Sequence, residues 1–259
     1  TIDPNAFRWR GIWRVIKHEG WHQFSHMVLQ RKRTLPLWLE EGLAEYFGQA
    51  RWTGRRIVAG SVPPVRCRRV QKRIRYGQFR PLEQIIAMRL LNWAQELNAV
   101  NYDQVWSLVH FFLHAKKGKY RSAFKAYLDD MIRGNDSQTK FRDHFGSNLD
   151  ELQKEYEVWW LEKTVHSDSK LNDEITRETL EEFLTRLHRQ GKRYPTVEAF
   201  FQAARAGECT LDLNKPRAWL SPAMLHNALR EAERYKSRAI RYTSAGRAKL
   251  TPKPRESSP

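Results

Sequence analysis

The chain has 259 residues, of which 41% are hydrophobic and 12% aromatic, which is enough to bury a substantial core in one or two globular domains. Lys and Arg outnumber Asp and Glu by 46 to 29, so the formal net charge is +17. No apolar run reaches the roughly 20 residues of a transmembrane helix, so the sequence predicts no membrane span, and its charge favours acidic partners.

The first informative segment is HEGWH at residues 18–22. On a helix, residues four apart lie on one face, so His18 and His22 can direct two imidazoles at one ion, with Glu19 beside the same space. A hydrolytic zinc site needs a third protein ligand and leaves the fourth position to water. Glu41, in the run WLEEGLAEY at residues 38–46, is the candidate for that ligand.

These two segments resemble the gluzincin metallopeptidases, most closely the bacterial peptidase MA-like domains and more distantly aminopeptidase N, glycyl aminopeptidase and thermolysin. In that group the third zinc ligand is a Glu in a W-L-x-E-G pattern on a second helix, which corresponds to Glu41, at the aminopeptidase-type spacing from His22. The resemblance implies a Zn²⁺ cofactor held by His18, His22 and Glu41. It also implies that Glu19 is the general base for peptide-bond hydrolysis.

Two acidic neighbours of Glu41 have different expected roles. Glu45 lies one helical turn later on the same face, where it either accepts the outer N–H of a zinc-bound His or is a surface carboxylate. Glu40 points about 100° away from Glu41 on a helix, so only one of the two can face a metal. The family pattern favours Glu41.

His26 continues the series 18, 22, 26 but is not expected to be a ligand. The other large zincin class needs a Gly and a His at later positions, where this chain has Ser25 and Val28. We expect His26 to support the site or to lie on the surface. The family's active-site helix also follows a small β-sheet, whereas 17 residues precede His18, so the sequence is expected to be a piece that lacks most of this sheet. Localisation is therefore left unassigned, as is the choice between endopeptidase and aminopeptidase.

Residues 51–80 form a basic stretch without Asp or Glu. In the resembled family this region is a hairpin, expected here near residues 51–65, followed by a surface helix. The charges either form a solvated face or attract an acidic peptide, a cell-wall or membrane polyanion, or nucleic acid to the cleft. The ten cations are Arg51, Arg55, Arg56, Arg66, Arg68, Arg69, Lys72, Arg73, Arg75 and Arg80.

The run NYDQVWSLVHFFL at residues 101–113 resembles a later helix of the family, which opens with a Tyr that stabilises the oxyanion. The resemblance implies this role for Tyr102. Alternatively Tyr102 is a core aromatic, because it shares a helical stripe with Trp106, Val109 and Leu113. His110 lies on that face and is expected to be a core His with satisfied hydrogen bonds.

The fold class predicted is mainly α, with an α+β zincin-like catalytic domain over residues 1–165 that a helix at 147–160 closes. A helical appendix follows over residues 166–243. Its helices are expected to begin at the Thr179 and Glu182 capping box, at Pro195-Thr196 and at Ser221-Pro222, the last running to about Tyr242. Residues 244–259 are expected to be a disordered basic tail.

Two further hypotheses for the function remain open beside the zinc peptidase. In the second hypothesis the chain is a basic protein that binds nucleic acid or another polyanion and has a non-catalytic zinc site. Residues 66–69 and a basic helix at residues 230–241 would then contact phosphates. No nucleic-acid motif supports the second hypothesis. A degenerate peptidase that keeps its metal is a third possibility. Cys67 and Cys209 form one disulfide or stay free thiols, and oligomeric state is not predicted.

Overall fold

The computed structural model describes residues 6–29, 35–95, 99–164, 169–209 and 232–251, with side chains from residue 14 onward in the first range and from residue 170 in the fourth. Helices dominate these ranges, which confirms the mainly α class. None of the helices in them has the length and apolar character needed to cross a membrane. The α-helices are α1 (Ala6–Val28), α2 (Leu37–Gly48), α3 (Pro64–Arg75), α4 (Leu82–Ile86), α5 (Leu90–Gln95), α6 (Ala99–His114), α7 (Arg121–Arg133), α8 (Ser137–Phe145), α9 (Leu149–Glu162), α10 (Ser169–Arg189) and α11 (Val197–Arg205).

The strands in these ranges form two antiparallel pairs. β1 (Arg51–Trp52) pairs with β2 (Ile57–Val58), and β3 (Ala239–Tyr242) pairs with β4 (Ala248–Thr251). The first pair is the hairpin that the sequence predicted near residues 51–65.

The chain divides into two compact units. The major unit contains Trp13–Ala50 and Ala59–Asp168, and the minor unit contains Thr1–Ile12, Arg51–Val58 and Ser169–Pro259. The predicted catalytic domain, residues 1–165, therefore included a hairpin that groups with the C-terminal residues. Two arginines connect the hairpin to α10: Arg55 Nε donates to a Glu182 carboxylate oxygen at 2.9 Å, and Arg56 donates to Glu178 at 2.8 Å.

In the major unit, α2 packs directly along α6, and Gly42 permits the close approach. A Cβ at residue 42 would lie 2.8 Å from Val109 Cγ2 and 2.9 Å from the Val105 carbonyl oxygen. Only a residue without a side chain fits this distance between two helix backbones. The glycine of the W-L-x-E-G pattern thus fixes how near the Glu41 helix lies to the Tyr102 helix.

Large aromatic side chains fill the core of the major unit. Trp38 of α2 is fully buried and packs against Phe112, Tyr127 and Phe141, with ring centroids 5.8–6.1 Å apart. Each such ring buries about 150–250 Å², so these contacts supply much of the apolar burial. The helix predicted at residues 147–160 is α9, where the Asn148 side chain accepts from the Glu151 N–H.

In the minor unit, α10 and α11 pack with the β3–β4 pair around a second apolar core. Thr196 caps α11 by accepting from the Ala199 N–H, as the sequence predicted. The edge of β4 bonds to α10, since the Ala248 N–H donates to Thr185 Oγ1 at 2.9 Å. The core is formed by Leu180, Phe183, Leu184, Leu187, Val197, Phe200, Phe201 and Ile240, among others.

Three expectations for the C-terminal region are wrong. Thr179 is not an N-cap, because α10 begins at Ser169 and the Thr179 hydroxyl donates to the Ile175 carbonyl inside the helix. The helix expected to run to Tyr242 does not extend to that residue, since Glu233–Tyr235 is a single 3-10 turn and β3 occupies Ala239–Tyr242. The tail expected to be disordered from residue 244 contains β4, whose pairing with β3 satisfies its backbone. Residues 166–168, 210–231 and 252–259, with the expected Ser221-Pro222 helix start, lie outside the described residues. Cys67 and Cys209 are both buried, and each keeps its thiol, so they do not form a disulfide.

Candidate metal centre

The structure brings His18, His22 and Glu41 together. His18 and His22 lie one turn apart on α1, and their Nε2 atoms are 3.2 Å from each other. Glu41 on α2 places Oε2 3.4 Å from His18 Nε2 and 3.8 Å from His22 Nε2. Three potential ligand atoms from two helices therefore form one small triangle.

The dimensions of this triangle suit a zinc ion. Zinc bonds to nitrogen and oxygen of about 2.0–2.1 Å at tetrahedral angles separate two ligand atoms by about 3.3 Å, close to the three sides seen here. Glu41 Oε2 is buried and has no hydrogen-bond partner among the described residues. A buried carboxylate oxygen without a donor is costly, and a cation would satisfy it. The residues fit the metal that the sequence predicted.

Carboxylates also contact the outer nitrogens of both imidazoles. His22 Nδ1 lies 2.9 Å from Glu40 Oε1 and donates to it, since a carboxylate only accepts. His18 Nδ1 lies 3.2 Å from Glu45 Oε1, close enough for an electrostatic contact although outside hydrogen-bond angles. Both contacts favour a proton on Nδ1 and a free lone pair on Nε2, the arrangement that carboxylate–histidine pairs give to metal ligands.

Glu45 is buried, so it is not a surface carboxylate, and its predicted support of a zinc-bound His stays a prediction. Glu40 has the corresponding position at His22, a role that the sequence did not reveal. Ser25 holds Glu40 in place, because its hydroxyl donates to Glu40 Oε1 at 2.6 Å. The i, i+3 spacing of His22 and Ser25 was a usable signal, since such residues share a helix face.

The cluster is strongly coupled electrostatically. Burial by itself lowers the pKa of His18, but the carboxylates of Glu41 and Glu45 outweigh burial and raise this pKa to about 9. The hydrogen bond to Glu40 raises the pKa of His22 against the effect of burial. Burial raises the pKa of Glu45, yet His18, Arg66 and Arg14 together lower it to about 2. The carboxylates thus stabilise positive charge at this point, whether protons or a metal ion carry it.

Glu19 and Tyr102 complete the set predicted from the sequence. Glu19 is exposed to solvent on α1, next to His18. Tyr102 is partly buried, and its ring centroid lies 6.3 Å from that of His18. Burial raises the pKa of the Tyr102 hydroxyl, and the negative charges of Glu41, Glu45 and Glu19 raise it further. The phenol therefore keeps its proton near neutral pH and can donate a hydrogen bond beside the cluster.

Trp93 is a neighbour of Tyr102 that the sequence did not indicate. Its indole N–H donates to the Tyr102 oxygen at 3.4 Å, and the two rings meet edge to face with centroids 5.1 Å apart. Trp93 is buried on α5, so it limits the positions that the phenol can adopt. Tyr102 also packs against the apolar core of the major unit, so both of its predicted roles stay predictions.

The two remaining histidines named from the sequence lie outside the triangle. His26 is exposed. His110 is fully buried among Tyr46, Trp106 and Trp160, and burial lowers its pKa well below the usual value. It is the predicted core His, but its Nε2 has no hydrogen-bond partner among the described residues, so the expectation that it is satisfied is wrong.

Several cations of the basic stretch bind carboxylates within the protein, whereas Arg68 and Arg69 are exposed, so phosphate contacts by residues 66–69 stay a prediction. Arg66 is buried, with 5% of its side chain exposed, and Cys67 is fully buried. Arg66, Arg69 and Arg73 all bind Asp103, a carboxylate that is only 1% exposed. The exposed cations on α3 that remain as candidates for an acidic partner are Arg68, Lys72 and Arg75.

The candidate metal centre lies within a segment of the sequence that matches a known family profile. The profile of a family described as "Protein of unknown function (DUF1570)" matches residues 13–132. This match includes the three candidate ligands, Glu19 and Tyr102. No curated protein and no solved structure matches the chain.

Proposed function

We propose that the protein is a zinc-dependent peptidase of the gluzincin type. The observation that carries this proposal is the triangle of His18 Nε2, His22 Nε2 and Glu41 Oε2, with sides of 3.2, 3.4 and 3.8 Å. Three protein ligands leave one tetrahedral position open, as in catalytic zinc sites, whereas structural sites usually have four. When bound, zinc supplies a Lewis acid that acidifies water and polarises a carbonyl group.

Glu19 is the proposed general base. Its carboxylate takes a proton from water as the water oxygen adds to the peptide carbonyl carbon. The same carboxylate then returns the proton to the leaving nitrogen as the C–N bond breaks. The products are a carboxylic acid and an amine, and the remaining proton passes to the amine to give a carboxylate and an ammonium ion. The exposure of Glu19 on α1 supports this role, because a proton carrier must reach the substrate.

Tyr102 is the proposed donor to the oxyanion. The carbonyl oxygen gains negative charge as water adds, and a neutral phenol can donate a hydrogen bond to it. The position of Tyr102 supports this role, since its ring centroid lies 6.3 Å from that of His18. Trp93 restrains the ring in that position.

A second candidate function is binding of nucleic acid or another polyanion around a zinc site without catalysis. The net charge of +17 and the exposed Arg68, Lys72 and Arg75 on one helix favour it. The engagement of Arg66, Arg69 and Arg73 with Asp103 weighs against it, because these cations already have a buried partner. DNA binding that falls steeply with salt, without peptide cleavage, would favour this candidate.

The decisive experiment compares the native chain with Glu19→Gln. Zinc per chain is measured by elemental analysis, and cleavage of a mixed peptide library is followed by mass spectrometry. We expect one zinc in both proteins and a loss of cleavage by at least about 10²-fold in the variant, since general-base catalysis contributes about 10²–10⁴-fold. Equal cleavage by both would overturn the assignment of Glu19, and zinc binding without cleavage in either would indicate a degenerate peptidase.

A further inference from the structure

Arg66 makes three hydrogen bonds to two helices that frame the candidate metal centre. From α3, its Nη1 donates to Glu45 Oε2 at 2.5 Å, its Nε donates to Asp103 Oδ1 at 3.0 Å, and its Nη2 donates to the Tyr102 carbonyl oxygen at 3.1 Å. The guanidinium also lies over the Trp106 ring, 4.2 Å from its centroid. Every partner therefore belongs to α2 or α6.

The rigid geometry of the guanidinium gives these contacts a consequence beyond charge neutralisation. A planar fork holds its three acceptors at fixed mutual positions, which a flexible ammonium cannot do. Glu45 contacts His18 with its other oxygen, Oε1, at 3.2 Å. The Tyr102 carbonyl lies in the first turn of α6, the turn that also carries the Tyr102 phenol. One buried side chain thus connects a metal-ligand contact to the proposed oxyanion donor.

We propose that Arg66 is a positioning residue, which orients His18 through Glu45 and sets the place of Tyr102 through the backbone of α6. Its part toward Tyr102 rests on the proposed function, whereas its part toward His18 concerns metal binding alone. The competing explanation is that Arg66 only neutralises Glu45 and Asp103 inside the fold. In that case any cation that keeps the protein folded would serve.

The chain contains a matched control in Arg69. Arg69 also binds Asp103, with Nη2 2.7 Å from Oδ1, but it makes no hydrogen bond to Glu45 or to the Tyr102 carbonyl among the described residues. Its side chain is 46% exposed, so replacing it perturbs the core little. A Lys in place of each arginine keeps the charge and removes the fork.

The experiment measures zinc affinity of the full chain by competition with a chelator at one fixed pH, for the native protein, Arg66→Lys and Arg69→Lys. Loss of a direct partner of a metal-binding His costs about 10–100-fold in affinity, so we expect about 10-fold for Arg66→Lys, which acts one contact further away. Arg69→Lys is expected to bind zinc as the native chain does. Native-like affinity in Arg66→Lys, or an equal loss in Arg69→Lys, would overturn the proposal.

A double-mutant cycle with Glu45→Ala tests the route of the effect. If Arg66 acts through Glu45, then the double variant binds zinc no more weakly than Glu45→Ala alone. If the loss of zinc affinity in the double variant instead equals the product of the losses in the two single variants, the route through Glu45 is overturned. If circular dichroism shows Arg66→Lys to be unfolded, Asp103→Asn replaces it, because it loosens the same guanidinium while Arg66 remains. Folded Asp103→Asn with native zinc affinity would overturn the proposal.

Peptide cleavage is measured on the same proteins and separates this proposal from the proposed function. We expect kcat in Arg66→Lys at saturating zinc to fall while that of Arg69→Lys stays near native, because only the former displaces Tyr102. Unchanged kcat would overturn the part of the proposal that concerns Tyr102. A native chain that binds zinc with the expected dependence on Arg66 but cleaves no peptide would overturn the peptidase function and leave the metal-binding role of Arg66 supported.

Discussion

Glu40 and His22 form the shortest contact of an imidazole with a carboxylate at the candidate metal centre, with 2.9 Å between Oε1 and Nδ1. Glu41, the next residue in sequence, faces the opposite nitrogen of the same ring with Oε2 3.8 Å from Nε2. Two adjacent carboxylates on α2 thus hold opposite sides of one imidazole. Glu40 and Glu41 are therefore expected to have different effects on zinc binding.

Glu41→Ala and Glu40→Ala are expected to differ in zinc binding. Glu40→Ala removes the acceptor that orients His22 and should weaken zinc binding by about 10–100-fold. Glu41→Ala removes a candidate ligand atom and should weaken it further. Chelator competition on both variants measures the difference, with the melting temperature as the control for folding. Weaker zinc binding in Glu40→Ala than in Glu41→Ala would exchange the two assignments.

Tyr102→Phe should slow peptide cleavage by about 10²–10³-fold, the cost of removing one donor to an oxyanion. Zinc affinity should change little, because the phenol is not among the three clustered ligand atoms. Trp93→Phe is the comparison variant, since it keeps an aromatic ring and removes the indole donor to Tyr102, together with some buried ring volume. Its effect on kcat should be smaller. Turnover of Tyr102→Phe equal to that of the native chain would return this residue to a packing role.

Gly42→Ala should destabilise the protein by about 1–3 kcal/mol or more, because the added methyl group overpacks the contact between α2 and α6. The strain involves the Val105 backbone, which cannot move aside as a flexible side chain would. Gly20→Ala is the control: nothing lies within 4 Å of its Cβ position, and Ala is favoured over Gly in a helix by about 1 kcal/mol. Urea unfolding of both variants should show opposite signs, and a Gly42→Ala protein as stable as the native one would contradict the close helix packing.

Glu155 should contribute a pH-dependent part of the stability. The hydrogen bond from Tyr120, with Lys116 and Lys119, lowers the pKa of Glu155 from the ordinary 4.5 to about 2. A folded-state pKa below the unfolded one means that the contribution is complete above about pH 4.5 and is lost as the pH falls toward 2. The difference in melting temperature between native and Glu155→Gln proteins should therefore shrink over this range. A difference that stays constant down to pH 2 would contradict a lowered pKa of Glu155 in the folded protein.

Local patterns in the sequence were sufficient for much of the site. The four-residue spacing of His18 and His22 depends only on helix geometry, and the predicted pairing of these residues with Glu41 came from a family pattern. Arg66 could not be recognised in the same way. It lies in a basic run that suggests a solvated surface, and its buried partners Glu45 and Asp103 are 21 and 37 residues away in sequence.

The C-terminal strands show the other limit of local reasoning. Residues 230–242 are rich in Ala, Arg and other good helix formers, and this composition favoured a helix. Pairing between Ile240 and Leu250 and the bond from the Ala248 N–H to Thr185 of α10 outweigh that preference. Such contacts join residues far apart along the chain, so propensity alone cannot anticipate them.

The β1–β2 hairpin interrupts the major unit in sequence, yet its arginines bind the carboxylates of α10. The chain passes between the two units at four places, after Ile12, Ala50, Val58 and Asp168, so a single cleavage point near residue 168 does not separate them for isolated expression. A fragment that ends near residue 168 would contain Arg55 and Arg56 without the α10 carboxylates that bind them. The solubility of such a fragment would therefore depend on these two unpaired arginines as well as on the helices that contain His18 and His22.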